Sequence, residues 1–220
     1  GDVRDKDRLK RVMEGCDWVV HAAALKQAPI GEIEPQEFIK TNILGTMNVV
    51  EAALDCNVAK AMLISTDKAV EPINLYGATK MCAERMVVQA DLMRGEKATR
   101  FACVRYGNVA GTNGSIIPLL LELEDSKPTP IHDPEATRFW ITLEEANLFV
   151  LDAIKRMKGG EVFIPKLKSV RVIDVAMAVR PDKPFVILGE RKGDKKHEVL
   201  SIDPRYSSDI NEMMSVEEIK

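Results

Sequence analysis

Apolar and polar positions along this chain switch between two periods, and the switches outline an alternating series of helices and strands. Lys6 to Gly15 carries helical spacing, and D-W-V-V-H-A-A-A (Asp17 to Ala24) reads as a buried strand running into a small-residue turn. Glu37 to Cys56 repeats apolar positions at helical spacing, with Asn42 inside it. A β-rich stretch from Ala61 to Ile64 ends in Ser65-Thr66, and after a short Pro- and Asn-containing loop a helix is expected over Tyr76 to Met93. F-A-C-V-R-Y is a further strand, opening into G-N-V-A-G-T-N-G, a glycine-rich turn where the backbone can approach a ligand and where Gly111 and Gly114 individually read as residues that simply make the turn. S-I-I-P-L-L-L-E-L reads as a short apolar helix with Pro118 in its first turn. Leu143 to Met157 is a longer one, with Thr142 as N-cap, Glu145 completing a capping box, and a core face of Ala146, Phe149, Val150 and Ile154. The expected fold is α/β, a doubly wound parallel sheet with a small C-terminal lobe.

Composition narrows the function classes. At 220 residues, 45% apolar and 30% charged, the chain can bury a substantial core but is short for two full domains. A net charge of −3 without a basic stripe argues against a nucleic-acid partner. Cys16, Cys56, Cys82 and Cys103 are far apart and form no CxxC pair, so neither a metal site nor a disulfide framework is indicated, and a reducing cytoplasm fits. No apolar run approaches the ~20 residues of a membrane span, and G-D-V-R-D-K-D is unlike a signal peptide.

The chemistry concentrates in L-I-S-T-D-K-A-V-E-P followed by L-Y-G-A-T-K. Asp67 and Lys68 bring a carboxylate and an amine to the C-terminal end of a strand, where open α/β sheets bind ligands. Tyr76 and Lys80 are four apart, on one helix face. A phenol with an ordinary pKa of ~10 becomes a usable base at neutral pH when a nearby cation favours its phenolate. YxxxK by itself also arises as a helix-start tyrosine with a solvated lysine, and Asp67-Lys68 alone also reads as an ordinary turn; the two motifs together point to catalysis. His21, far in sequence from His132 and His197, reads as a hydrogen-bonded structural residue.

These motifs, with H-A-A-A-L-K (His21 to Lys26), K-T-N-I-L-G-T (Lys40 to Thr46), R-Y-G-N-V-A-G (Arg105 to Gly111) and T-R-F-W-I-T (Thr137 to Thr142), resemble the extended short-chain dehydrogenase/reductases over nearly the whole chain. Within them, T-D-K before N-L-Y-G-A-T-K-M-C-A-E is similar to the inverting UDP-N-acetylglucosamine 4,6-dehydratases, with Lys68 standing where retaining dehydratases carry Glu. The resemblance implies that Tyr76, assisted by Lys80, serves oxidation at O4, Thr66 hydrogen-bonds O4, Lys68 takes the C5 proton and Asp67 expels the C6 hydroxyl. It implies NADP, with NAD as the alternative, bordered by Asp2, Val3, Ala22, Ala23, Ala24, Tyr76 and Lys80. A UDP-sugar would lie against Lys26, Asn108, Arg138, Arg191 and Asp194, the last two in E-R-K-G-D-K-K-H-E, and Asn42 would buttress the catalytic loop. It implies a homo-oligomer, with residues 1–112 a partial dinucleotide-binding region and 113–220 mainly a substrate lobe interleaved with the core. No G-x-G-x-x-G occurs, so the first strands of such a fold and half the nucleotide site are expected upstream of Gly1. A 4-epimerase, a retaining dehydratase or a catalytically silent fragment are the alternatives.

Overall fold

The computed structural model describes residues 1–220. In chain order the elements begin with α1 (Lys6–Met13), β1 (Trp18–His21), α2 (Ala28–Ile33), α3 (Pro35–Phe38), a π-helical segment (Ile39–Leu44), α4 (Gly45–Asp55) and β2 (Lys60–Thr66). A 3-10 turn (Asp67–Ala69), α5 (Leu75–Met93), β3 (Arg100–Tyr106), β4 (Asn108–Val109), α6 (Ile116–Leu121), β5 (Thr129–Ile131) and β6 (Thr137–Ile141) follow. The remainder is α7 (Leu143–Arg156), β7 (Val162–Phe163), β8 (Lys168–Arg171), α8 (Val172–Val179), β9 (Phe185–Ile187), β10 (Val199–Ser201), β11 (Tyr206–Ser207) and α9 (Val216–Ile219). The chain divides into one unit of Gly1–Arg105 with Phe149–Pro165 and another of Tyr106–Leu148 with Lys166–Lys220.

The first unit is an α/β layer around a sheet ordered β1-β2-β3-β7, with β1 parallel to β2 and β3 parallel to β7. Alternation along the strands sends Ala61 and Leu63 of β2 and Phe101 and Cys103 of β3 into a core with Val49, Ala52 and Ala53 of α4 and Ala83, Val87 and Ala90 of α5. The small residues on α4 and α5 let these helices sit close to the strands. The expectation of a buried first strand holds for one face only. Val19 packs on the core and His21 is buried, whereas Trp18 and Val20, on the opposite face of the strand, are 47% and 46% exposed. Lys60 Nζ sits 5.8 Å from the Trp18 ring centroid and donates to the carbonyls of Ile154 and Lys155 at the end of α7, where a cation suits the helix dipole.

The helix expected over Glu37 to Cys56 is present, but its middle is a π segment. Such segments shift the helical phase, and this one contains the buried Asn42.

In the second unit β4 pairs parallel with β6, which pairs antiparallel with β8; β5 pairs with β9, and β10 with β11. Gly111 and Gly114 adopt φ of 70° and 73°, the left-handed region their turn requires. Thr142 and Glu145 form the expected capping box: the Thr142 hydroxyl accepts from Glu145 N at 3.2 Å, and the carboxylate accepts from Thr142 N at 2.8 Å. Arg180 is buried and donates to the carbonyls of Leu120, Leu123, Glu124 and Lys127, satisfying the C-terminal end of α6. No helix is long and apolar enough to cross a membrane.

Candidate functional site

The C-terminal end of β2 brings five of the candidate residues into one stretch of structure. Thr66 is the last strand residue and caps the 3-10 turn that follows, its hydroxyl oxygen accepting from Lys68 N at 3.4 Å. That same hydroxyl donates to Asp67 Oδ1 at 2.9 Å, and Lys68 Nζ donates to the same oxygen at 2.9 Å. Asp67 is fully buried, and its second oxygen, Oδ2, has no hydrogen-bond partner. Lys68 retains 31% side-chain exposure, so the pair has one end in the protein and the other open to solvent.

The loop after the turn runs through Glu71, whose φ of 46° is disfavoured for a residue with a side chain, and enters α5 at Asn74. Asn74 Oδ1 accepts from Gly77 N at 2.8 Å, a side-chain N-cap that fixes where the helix starts. Tyr76 and Lys80 are buried on the side of α5 that faces β2 and the turn. Lys80 Nζ donates to the Ile64 carbonyl at 2.7 Å, and burial lowers its pKa to about 8 against the opposing pull of Cys103 and Glu84.

Beneath these groups lies a buried charge network that the motif reading missed. Glu84, four residues beyond Lys80, accepts from Ser65 Oγ at 2.8 Å and Arg105 Nε at 3.0 Å, and Arg105 makes a second, short contact through Nη2. It ties α5 to the ends of β2 and β3. The signal was present as one arginine in the otherwise apolar F-A-C-V-R-Y and an acid at i+4 from Lys80.

Asn42 gathers a second part of the site. It clamps Leu25, in the loop carrying Ala22, Ala23, Ala24 and Lys26, and donates to Thr79 Oγ1 at 3.0 Å; Thr79 in turn donates to the Tyr76 carbonyl at 2.8 Å. Ala22, Ala23 and Lys26 are exposed and Ala24 is half-buried. His21 Nε2 lies 2.9 Å from Thr46 Oγ1, whose proton goes to the Asn42 carbonyl; the ring therefore donates, and burial, with the Lys80 charge, lowers its pKa to about 4.

Asp2 and Val3 have other attachments. The Asp2 carboxylate accepts from Arg4 N, Nε and Nη2, which lowers its pKa to about 2, and Val3 packs against Gly45 and the core. In the second unit, Asn108 is half-buried on β4. Arg138 on β6 donates to the carbonyls of Thr137 and Lys196, which joins it to the segment bearing Arg191 and Asp194. Both of those are exposed, in a turn closed by Asp194 N donating to the Arg191 carbonyl at 3.1 Å.

A family of polysaccharide biosynthesis proteins matches residues 1–218. The chain belongs to this polysaccharide biosynthesis protein family. It is 48% identical over 202 residues to a UDP-N-acetylglucosamine 4,6-dehydratase (inverting) of Campylobacter jejuni, a match covering 91% of this chain and 60% of that protein. It is 38% identical over 205 residues to a UDP-glucose 4-epimerase of Rickettsia felis, with the same coverage. The chain thus spans about three fifths of these curated relatives. Among solved structures, Pen from Bacillus thuringiensis is 33% identical with a TM-score of 0.94, covering 100% of this chain and 78% of that one. A dTDP-glucose 4,6-dehydratase from Streptomyces venezuelae with NAD bound, 21% identical over 89% of this chain and 67% of its own, shares the Rossmann-type fold at a TM-score of 0.79.

Proposed function

We propose that this chain carries the acid–base apparatus of a UDP-N-acetylglucosamine 4,6-dehydratase that inverts C5 and supplies a 4-keto-6-deoxy sugar for surface polysaccharide or glycan synthesis. The observation that carries this reading is Asp67 Oδ2, buried without a partner beside Lys68. An unpaired buried carboxylate oxygen costs on the order of 1–3 kcal/mol, a cost that makes sense where a ligand hydroxyl completes the site. An epimerase needs only the tyrosine–lysine pair; elimination of water needs an acid and a base besides.

The 2.9 Å contact between Lys68 Nζ and Asp67 Oδ1 supplies both in one proton transfer. Moving a proton along it turns ammonium and carboxylate into amine and carboxylic acid. The amine takes the C5 proton, made acidic by the 4-ketone, and the acid gives its proton to the departing C6 hydroxyl, which leaves as water. The resting ion pair is then restored with no net change in protons. Tyr76 accepts the O4 proton, and the Lys80 cation at the strand end favours its phenolate. The Thr66 hydroxyl, which donates to Asp67 in this structure, turns to O4 when substrate binds.

The exposed short side chains of Ala22 and Ala23, and the Lys80 cation, fit a nicotinamide dinucleotide, which Asp2, Val3, Ala22, Ala23, Ala24, Tyr76 and Lys80 would hold. When bound, that cofactor, NADP in this reading, supplies the two-electron acceptor at C4 and the donor at C6. Lys26, Asn108, Arg138 and Arg191 are assigned to the sugar diphosphate, and Asp194 to ribose hydroxyls. All four cysteines are free, as a cytoplasmic setting favours. The test is to give the full-length gene product UDP-N-acetylglucosamine and follow the 4-keto-6-deoxy product by NMR. Asp67→Asn is expected to lower water release by ~10²–10⁴-fold while C4 oxidation persists, and an unchanged product yield would remove Asp67 from the mechanism.

A further inference from the structure

We propose that Gly77 is a positioning residue: by lacking a Cβ it lets the first turn of α5 close onto the backbone of Lys68, and so fixes the reach between Tyr76 and the Asp67–Lys68 pair. The inference rests on the dehydratase reading for its chemical consequence, though its geometry stands without it. A Cβ placed on Gly77 would fall far inside van der Waals contact with the Lys68 carbonyl oxygen, 3.3 Å from the carbonyl carbon and 3.1 Å from Pro72 Cβ. The obstruction is main chain and a proline ring, neither of which can swing aside as a flexible side chain does. Gly77 has no need of glycine's conformational freedom, because it sits in regular helix, where glycine is less favourable than alanine. A glycine retained there has a packing reason, and the Lys68 carbonyl is that reason.

The rest of the loop is braced in the same sense. Val70 N donates to the Asp67 carbonyl at 3.1 Å, Glu71 takes its disfavoured left-handed φ of 46°, and Asn74 caps Gly77 itself. The turn carrying the acid and base is thus held between the end of β2 and the helix carrying Tyr76, with no side chain between turn and helix at residue 77. Lys80 is anchored on the Ile64 carbonyl of β2, before the turn, so displacing residues 67–69 changes the spacing between the elimination groups and the oxidation groups while that anchor stays in place.

Gly77→Ala in the full-length gene product tests this, with UDP-N-acetylglucosamine as substrate. Restoring an ordinary C···O separation of about 3.3 Å requires the 67–69 turn to move by roughly 1 Å, and misplacement of that size costs on the order of 10²-fold in a positioned step. The expected result is a turn displaced in the crystal structure of the variant, C4 oxidation within about threefold of wild type, and water release reduced by ~10–100-fold. Ala78→Gly, which loosens the same helix turn and adds no atom against Lys68, is expected to lower Tm and leave the ratio of oxidation to elimination unchanged; a ratio altered equally by both variants makes Gly77 merely structural and overturns the proposal. Should Gly77→Ala not fold, a glycine inserted between Val70 and Glu71 loosens the same spacing with Gly77 intact and is expected to give the same altered ratio; an unaltered ratio overturns the inference. If wild type releases no water the dehydratase reading fails, and the crystal structures still decide Gly77: a displaced turn supports its role in the spacing, and a turn in place overturns it.

Discussion

Asn42 holds Leu25 at both of its backbone polar groups: Oδ1 accepts from Leu25 N at 2.8 Å, and Nδ2 donates to the Leu25 carbonyl at 2.9 Å. One side chain thus does what a strand partner would do for an isolated residue, and it does so beside the alanines assigned to the dinucleotide. Asn42→Ala would strip Leu25 of both partners and Thr79 of one. The loop is partly exposed, so water recovers some of the loss. The expected cost is about 2 kcal/mol in urea unfolding, with faster hydrogen exchange at the Leu25 amide. Asn42→Asp keeps the acceptor and loses the donor, and should protect that amide better than Asn42→Ala does.

The network under the site should behave as a unit. Glu84→Ala takes from the half-buried Arg105 the carboxylate that its Nε and Nη2 contact, and the loss expected on breaking such a pair is about 3 kcal/mol. Glu84→Met with Arg105→Met removes both charges, and its cost should be well below the sum of the single changes in a double-mutant cycle. Additive losses would mean the two side chains act independently.

Much of this was legible along the chain, and the exceptions share a cause. Helices and strands follow from local periodicity, and the turn at Asp67 and the start of α5 from S-T-D-K and N-L-Y-G, since capping and turn chemistry are decided within a few residues. Exposure of Trp18 and Val20 was hidden because what covers each face of a strand is set by elements distant in sequence, not by its own alternation. The π segment around Asn42 was hidden because apolar spacing barely differs between α and π turns over six residues. At the site, adjacency put Thr66, Asp67 and Lys68 together, but only coordinates show both donors converging on one oxygen and leaving the other bare.

His21 makes stability fall in mild acid. Burial, with the Lys80 charge, holds its folded pKa at about 4 against an ordinary 6.5, so between these values the unfolded chain takes up a proton that the folded chain does not. Unfolding binds protons in that window, and stability drops as pH falls from 6.5 towards 4, by on the order of 3 kcal/mol in total. Above pH 6.5 the residue contributes no slope. Urea titrations at intervals between pH 4 and 7 check this: His21→Gln should flatten the profile relative to wild type, and a variant with an equally steep fall would place the acid sensitivity elsewhere.

On the proposed dehydratase reading, Lys68 governs the stereochemical outcome. Its side chain is 31% exposed while Asp67 is fully buried, so solvent reaches the proposed base directly and the proposed acid only through it. In that reading Lys68 keeps or exchanges the proton it takes from C5, and a solvent-derived proton delivered to the opposite face inverts the centre to the L-arabino 4-keto sugar. Running the full-length gene product in heavy water separates the possibilities by NMR. Inverted C5 carrying deuterium is expected from the earliest time points, because the proton delivered to the opposite face comes from solvent. Replacing Lys68 by Glu, the residue retaining dehydratases carry, should shift early product towards D-xylo with less solvent label, at a rate reduced by ~10²-fold or more. Early product from wild type that is wholly D-xylo and free of deuterium would mean that Lys68 returns its own proton to the face it came from, and the inverting assignment would fall with it.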